Sequence, residues 1–114
     1  MGKEELLPGA VSQKQVDHWK RQWGEDKVYQ IIVRNDDTKP VKEYTGYFRK
    51  PDMKVIQAAS AFVDTDPIKS GLIVVDNCFL GGDEAFKTDD EIHVSAALAL
   101  NRLFKIRVAE IKNL

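Results

Sequence analysis

Lys27-Val28-Tyr29-Gln30-Ile31-Ile32-Val33-Arg34, then Asn35-Asp36-Asp37-Thr38-Lys39-Pro40, then Val41-Lys42-Glu43-Tyr44-Thr45-Gly46-Tyr47-Phe48-Arg49 is the stretch on which the fold turns. The first run is rich in β-branched and aromatic residues, which suit a pleated, half-buried surface. The middle six residues have the composition of a turn. The third run resumes with Tyr44, Tyr47 and Phe48 among polar residues. Together they predict two strands of a hairpin with a connection of about five or six residues. Gly46 inside the second strand marks either a bulge or a close approach of another backbone. A lone hairpin is marginal in water, so helices must cover one of its faces.

Upstream, Ser12 and Gln15 have the spacing of a capping box, and a helix should run from there to Trp23, with Gly24 as its stop. Val16, Trp19 and Trp23 fall on one face of that helix at i, i+3 and i+7. Residues 1–11 contain Pro8 and Gly9 and show no period, which predicts a flexible arm ahead of a single domain over 12–114.

Downstream, Pro51 suits the first turn of a helix and Asp52 the positive end of its dipole. Met53, Ile56, Ser60 and Val63 form one row of that helix, with Val55, Ala59 and Phe62 beside it. Asp66 then reads as an N-cap and Pro67 as the first residue of a further helix. Its expected buried stripe is Ile68, Leu72, Val75 and Phe79, ended by Gly81-Gly82. Thr88 and Glu91 match a second capping box, and the last helix should run from about Asp89 almost to Leu114. At ~100° per residue its apolar side chains, from Ile92 to Leu114, span roughly 200°. That is about twice the stripe a surface helix needs. Either the helix is central in its own domain or another chain covers part of it. The small residues Ala96, Ala97 and Ala99 would allow close helix approach near its start. The expected fold class is α+β, mostly helical, a β-hairpin packed with about four helices including a long C-terminal helix.

Composition bounds the function. The 114 residues carry 17 Lys and Arg against 18 Asp and Glu, a net charge of −1, so the chain as a whole is not a polyanion binder. Residues 1–50 hold ten basic and eight acidic groups, an excess of +2, too small for a nucleic-acid footprint. Aromatic and basic residues do interleave at Trp19-Lys20-Arg21-Gln22-Trp23 and at Tyr47-Phe48-Arg49-Lys50-Pro51. These read as solvated faces beside buried aromatics rather than as base-stacking platforms. Cys78 is the single cysteine, so no intramolecular disulfide is possible and a cytoplasmic location is the default. No segment approaches the ~20 apolar residues of a membrane span.

Catalytic and metal chemistry find little support. His18 and His93 are the two histidines, and no local signature surrounds Cys78 that would make it a nucleophile. The acidic groups Asp36-Asp37, Asp64 with Asp66, and Asp83 to Glu91 fit turns and N-caps, not an EF-hand loop. Gly81-Gly82 is neither a Walker loop nor a dinucleotide fingerprint. No catalytic residue, metal ligand or cofactor is expected.

The order of elements from Lys27 onward resembles the small tail assembly chaperones of long-tailed bacteriophages. The residues that carry the resemblance are the hairpin closing on Tyr47-Phe48-Arg49-Lys50-Pro51-Asp52 and the helix Lys54-Val55-Ile56-Gln57-Ala58-Ala59. Asp66-Pro67, Cys78-Phe79-Leu80-Gly81-Gly82-Asp83 and Ala109-Glu110-Ile111-Lys112 complete it. The tryptophan-bearing first helix departs from the family pattern. The resemblance implies a non-enzymatic protein that binds the tape measure protein or another tail protein, keeps it available for tail assembly, and self-associates as a homo-oligomer. On that reading the contact residues are Leu100, Phe104, Val108 and Ile111, with Trp19 and Trp23 second. The alternative for all six is that they are core. The alternative for the protein is a small cytoplasmic adaptor or regulatory interaction module.

Overall fold

In a computed structural model, described over residues 6–103 and 109–114, ten elements follow one another. They are β1 (Leu6–Leu7), β2 (Val11–Ser12), α1 (Gln13–Trp23), β3 (Val28–Asn35), β4 (Lys42–Arg49), α2 (Met53–Ser60), α3 (Pro67–Cys78), β5 (Phe79–Gly82), α4 (Ala85–Thr88) and α5 (Asp90–Leu100). The class is α+β, with five helices and two antiparallel sheets among the described residues.

The expected hairpin is the centre of the molecule. β3 and β4 pair from Val28↔Arg49 to Asn35↔Lys42, and β5 adds to the other edge of β4 to give the order β3-β4-β5. Side chains alternate across this sheet. Ile31 and Phe48 point to one face, where α2 to α5 supply Val55, Val74, Val75, Phe86, Ile92 and Leu100. Tyr47 points to the other, where α1 and the β1–β2 pair supply Val11, Val16 and Trp19. The sheet is therefore the middle of three layers.

Gly46 sits opposite Ile31 in an unbroken part of the β3–β4 ladder. A Cβ there would lie 2.9 Å from the rings of Phe48 and Phe86, so its bareness makes room for the aromatic cluster of the thicker layer. The bulge is next door, between Tyr47 and Phe48 on the β5 side.

Four expectations are corrected. The arm over residues 1–11 is structured from Leu6 on: Leu6 pairs with Ser12 and Leu7 with Val11 around a turn in which Gly9 and Ala10 take positive φ values of 82° and 60°. The Tyr47 hydroxyl donates to the Pro8 carbonyl (3.0 Å) and accepts from Gln30 Nε2 (3.0 Å), tying that turn to the sheet. A two-residue strand has no period to read, and its anchor is a distant tyrosine.

Phe79-Leu80-Gly81-Gly82 is a strand and not the end of a helix. α3 stops at Cys78, and Gly81 and Gly82 face Tyr47 and Gly46 of β4. Both glycines answer to close approaches. A Cβ on Gly81 would lie 2.8 Å from the Trp19 ring, and one on Gly82, at φ +122°, would lie 2.5 Å from the Thr45 carbonyl oxygen. Asp83 prolongs the pairing, its carboxylate accepting from Thr45 N–H at 2.7 Å and its own N–H donating to Thr45 O at 2.9 Å.

The buried face of α3 departs from the expected stripe except at Val75, and on α2 the residues beside the Met53 row are the buried ones. Val55 and Ala59 are buried on α2, and Ser70, Gly71, Val74, Val75 and Cys78 on α3, whereas Met53, Val63 and Ile68 are exposed. Close packing is the cause. A Cβ on Gly71 would stand 3.0 Å from Ala97 Cβ, and Ser70 Oγ donates to Ala59 O at 2.7 Å, so small side chains bring these helices together and larger ones are left outside. Proximity near the start of the last helix was legible in its alanines; the matching small residues of α3 were not.

The last helix is shorter than expected. Asp89 caps it, its carboxylate accepting from Glu91 N–H (3.0 Å) and Ile92 N–H (3.3 Å). It closes at Leu100 in a tightened turn, Arg102 N–H bonding Ala99 O and Leu103 N–H bonding Leu100 O. Residues 109–114 form neither helix nor strand. Ile92, Ala96, Ala97 and Leu100 are the face that α3, α4 and the sheet cover, and Leu103, just past the helix, still packs against the same core. The short α4, between β5 and α5, is a fifth helix beyond the four expected.

Candidate functional site

The six expected contact residues separate. Leu100 is fully buried in the main core and Trp19 is buried against Tyr47, their ring centroids 5.8 Å apart, so both are packing residues. Trp23 is half-buried at the end of α1, beneath Arg49. Ile111 is 97% exposed. Phe104 and Val108 lie outside the described residues. The four described ones do not form one surface.

The structure does gather another apolar surface, which includes Ile68 and Leu72 of the expected buried stripe of α3. Two adjoining clefts open beside α3. One, of about 310 Å³, runs between α2 and α3 past Ile56, Val63 and Val74. The other, of about 180 Å³, runs between α3 and α5 past Ile68, Leu72, Val94 and Leu98. Pro67 and Asn101 line both, so the clefts meet at the start of α3 and the end of α5. Val63, Ile68 and Leu98 stand 54%, 64% and 61% exposed on their rims. The signal that could have found this surface is the leftover apolar row of α2 and α3, once the glycine and serine of α3 are recognised as the contact side.

The thiol and imidazole groups have structural duties. Cys78 is fully buried, and desolvation pushes its thiol up to about 11, which leaves no thiolate at neutral pH. A folded pKa above the unfolded one stabilises the native state below pH 9 and ceases to do so as pH rises toward 11. Urea midpoints should therefore fall between pH 9 and 11, and a Cys78→Ala variant should lose that component. His93 Nε2 lies 3.0 Å from Asp76 Oδ1, linking α5 to α3, while His18 is exposed on α1.

Among the described residues no three His, Cys, Asp or Glu side chains converge as a metal site, and no helix is long and apolar enough to cross a membrane. No family model, curated protein or solved structure matches this chain.

Proposed function

We propose that this protein is a non-enzymatic binding protein of the tail assembly chaperone kind, which holds an apolar helix of the tape measure protein in the paired clefts beside α3. The observation that carries this reading is the trio Val63, Ile68 and Leu98, three large apolar side chains more than half exposed around grooves whose walls are themselves mainly apolar. Monomeric soluble proteins rarely leave such a contiguous patch without use. An amphipathic helix laid into a groove buries its own i, i+3 and i+4 anchors in the same act, which suits a long, apolar, helical client. Contact by Leu100 gives way to contact by Leu98, two residues earlier and on the opposite, outward face of the same helix; Ile111 remains available as a further apolar contact.

Co-purification with a tape measure fragment tests the reading. Ile68→Glu and Leu98→Glu should each weaken capture by about tenfold or more while the circular dichroism spectrum stays that of the parent. Capture that is unchanged in the double variant, or absent in the parent, overturns it.

A further inference from the structure

The two aromatic–basic stretches that nucleic-acid binding did not account for come together in space. Trp23 from the first and Arg49, Lys50 and Pro51 from the second line one cavity of about 220 Å³, with Lys27 and Asp52 completing the wall. Three cations face a single carboxylate there, in a chain whose total charge is −1.

One of those cations is held in place. The Arg49 guanidinium lies 4.3 Å from the centre of the Trp23 ring and donates to Asp52 Oδ2 at 3.2 Å, which leaves its side chain only 11% exposed. Lys27 lays its stem against Gly24, whose added Cβ would come 3.1 Å from Lys27 Cδ. Lys50 N–H donates to Lys27 O at 2.8 Å, so the two lysines leave the ends of neighbouring strands side by side. Like charges so placed repel. Of the two acids just before Lys27 in the chain, Glu25 is turned to Lys20 at 3.8 Å, and neither Glu25 nor Asp26 lines the cavity.

Asp52 and Trp23 complete the setting. Asp52 caps α2, its carboxylate accepting from Val55 N–H, so the positive end of that helix is already matched by the one acid of the wall. Hydrogen bonding from Val55 N–H, with the Arg49 charge, holds the Asp52 carboxyl below its usual range, so it stays ionised beside Arg49. Trp23 Nε1–H is buried and meets no acceptor among the described residues.

We propose that this cavity binds the phosphate group of a small phosphomonoester. A phosphomonoester is a dianion above its second pKa of about 6 and presents three acceptor oxygens, which matches three cations less one carboxylate. A carboxylate offers one charge and two oxygens. A nucleic-acid diester offers one charge per phosphate and needs a basic track that the balanced surface does not supply.

The test is a titration of the full chain at pH 7.5 and constant ionic strength, following the Trp23 and Trp19 indole N–H resonances by NMR. The probes are inorganic phosphate, glycerol 3-phosphate, acetate and a single-stranded oligonucleotide. Saturable movement of Trp23 with either phosphate, Trp19 staying still, is the expected result; tighter binding of the ester identifies a group borne on an organic molecule, and equal binding identifies the free anion. Lys27→Gln and Lys50→Gln should each weaken binding by about tenfold, and Arg49→Lys should weaken it although charge is kept. The proposal is overturned if neither phosphate moves Trp23, if acetate or the oligonucleotide binds as tightly, or if the folded Lys27→Gln/Lys50→Gln double variant binds like the parent.

Discussion

The two faces of the central sheet are covered in different ways. On one, α2 to α5 bury a dozen side chains, with Phe48 at the centre of an aromatic trio whose ring centroids lie 5.4 Å from Phe79 and 5.4 Å from Phe86. On the other, α1 and the N-terminal β1–β2 pair bury four, and two of those are Trp19 and Tyr47. The thick layer is held by volume: small residues bring α3 to α2 and α5, and branched and aromatic side chains fill what remains. The thin layer is held by a few large rings and by directed hydrogen bonds, chiefly those of the Tyr47 hydroxyl. A layer built on volume should fail cooperatively with the whole fold, whereas one built on a few contacts can loosen by itself.

Phe48→Ala strikes the thick layer and should cost about 4 kcal/mol, read as a drop in the urea midpoint with near- and far-ultraviolet circular dichroism lost together. A folded variant of parental stability would show that the aromatic trio is not the keystone. Trp19→Ala should cost about 3 kcal/mol, but hydrogen exchange should rise first in residues 6–23 while α3 and α5 stay protected. Uniform loss of protection would erase the distinction between the layers. Tyr47→Phe removes only the hydroxyl and should cost about 1 kcal/mol, again with faster exchange near Pro8 and Gln30. Smallest of all, Ile68→Glu on the outer rim of the thick layer should change stability by less than about 0.5 kcal/mol, in contrast to its effect on client capture. A large loss would return Ile68 to the core, where the sequence pattern had put it.

What could be read in advance follows the same division. The hairpin, the start of α1 at Ser12, whose hydroxyl accepts from Gln15 N–H at 3.1 Å, and the Asp66-Pro67 start of α3 were legible because local chemistry alone specifies them. β5 was hidden, since Phe79-Leu80-Gly81-Gly82 has no β-branched residue and its glycines serve partners far away, Trp19 and Thr45. The inward face of α3 was misread at Ile68 because a hydrophobic row records which side chains are large, and this helix packing selects small ones such as Ser70 and Gly71. The candidate site suffered from the same substitution. Leu100 looked like surplus surface and is core, while Ile68 looked like core and stands on a rim. The charged cavity was half visible: both of its sequence stretches stood out, but only the Val28↔Arg49 register and the end of α1 bring them to one corner.

Gly81 under the Trp19 ring ties the schedule of synthesis to the thin layer. As the chain leaves the ribosome, α1 can form early, yet the seat for its indole is incomplete until β4 has emerged and β5 has joined it. α1 is made before β4 and β5, so its tryptophan face stays uncovered until both strands have emerged and paired.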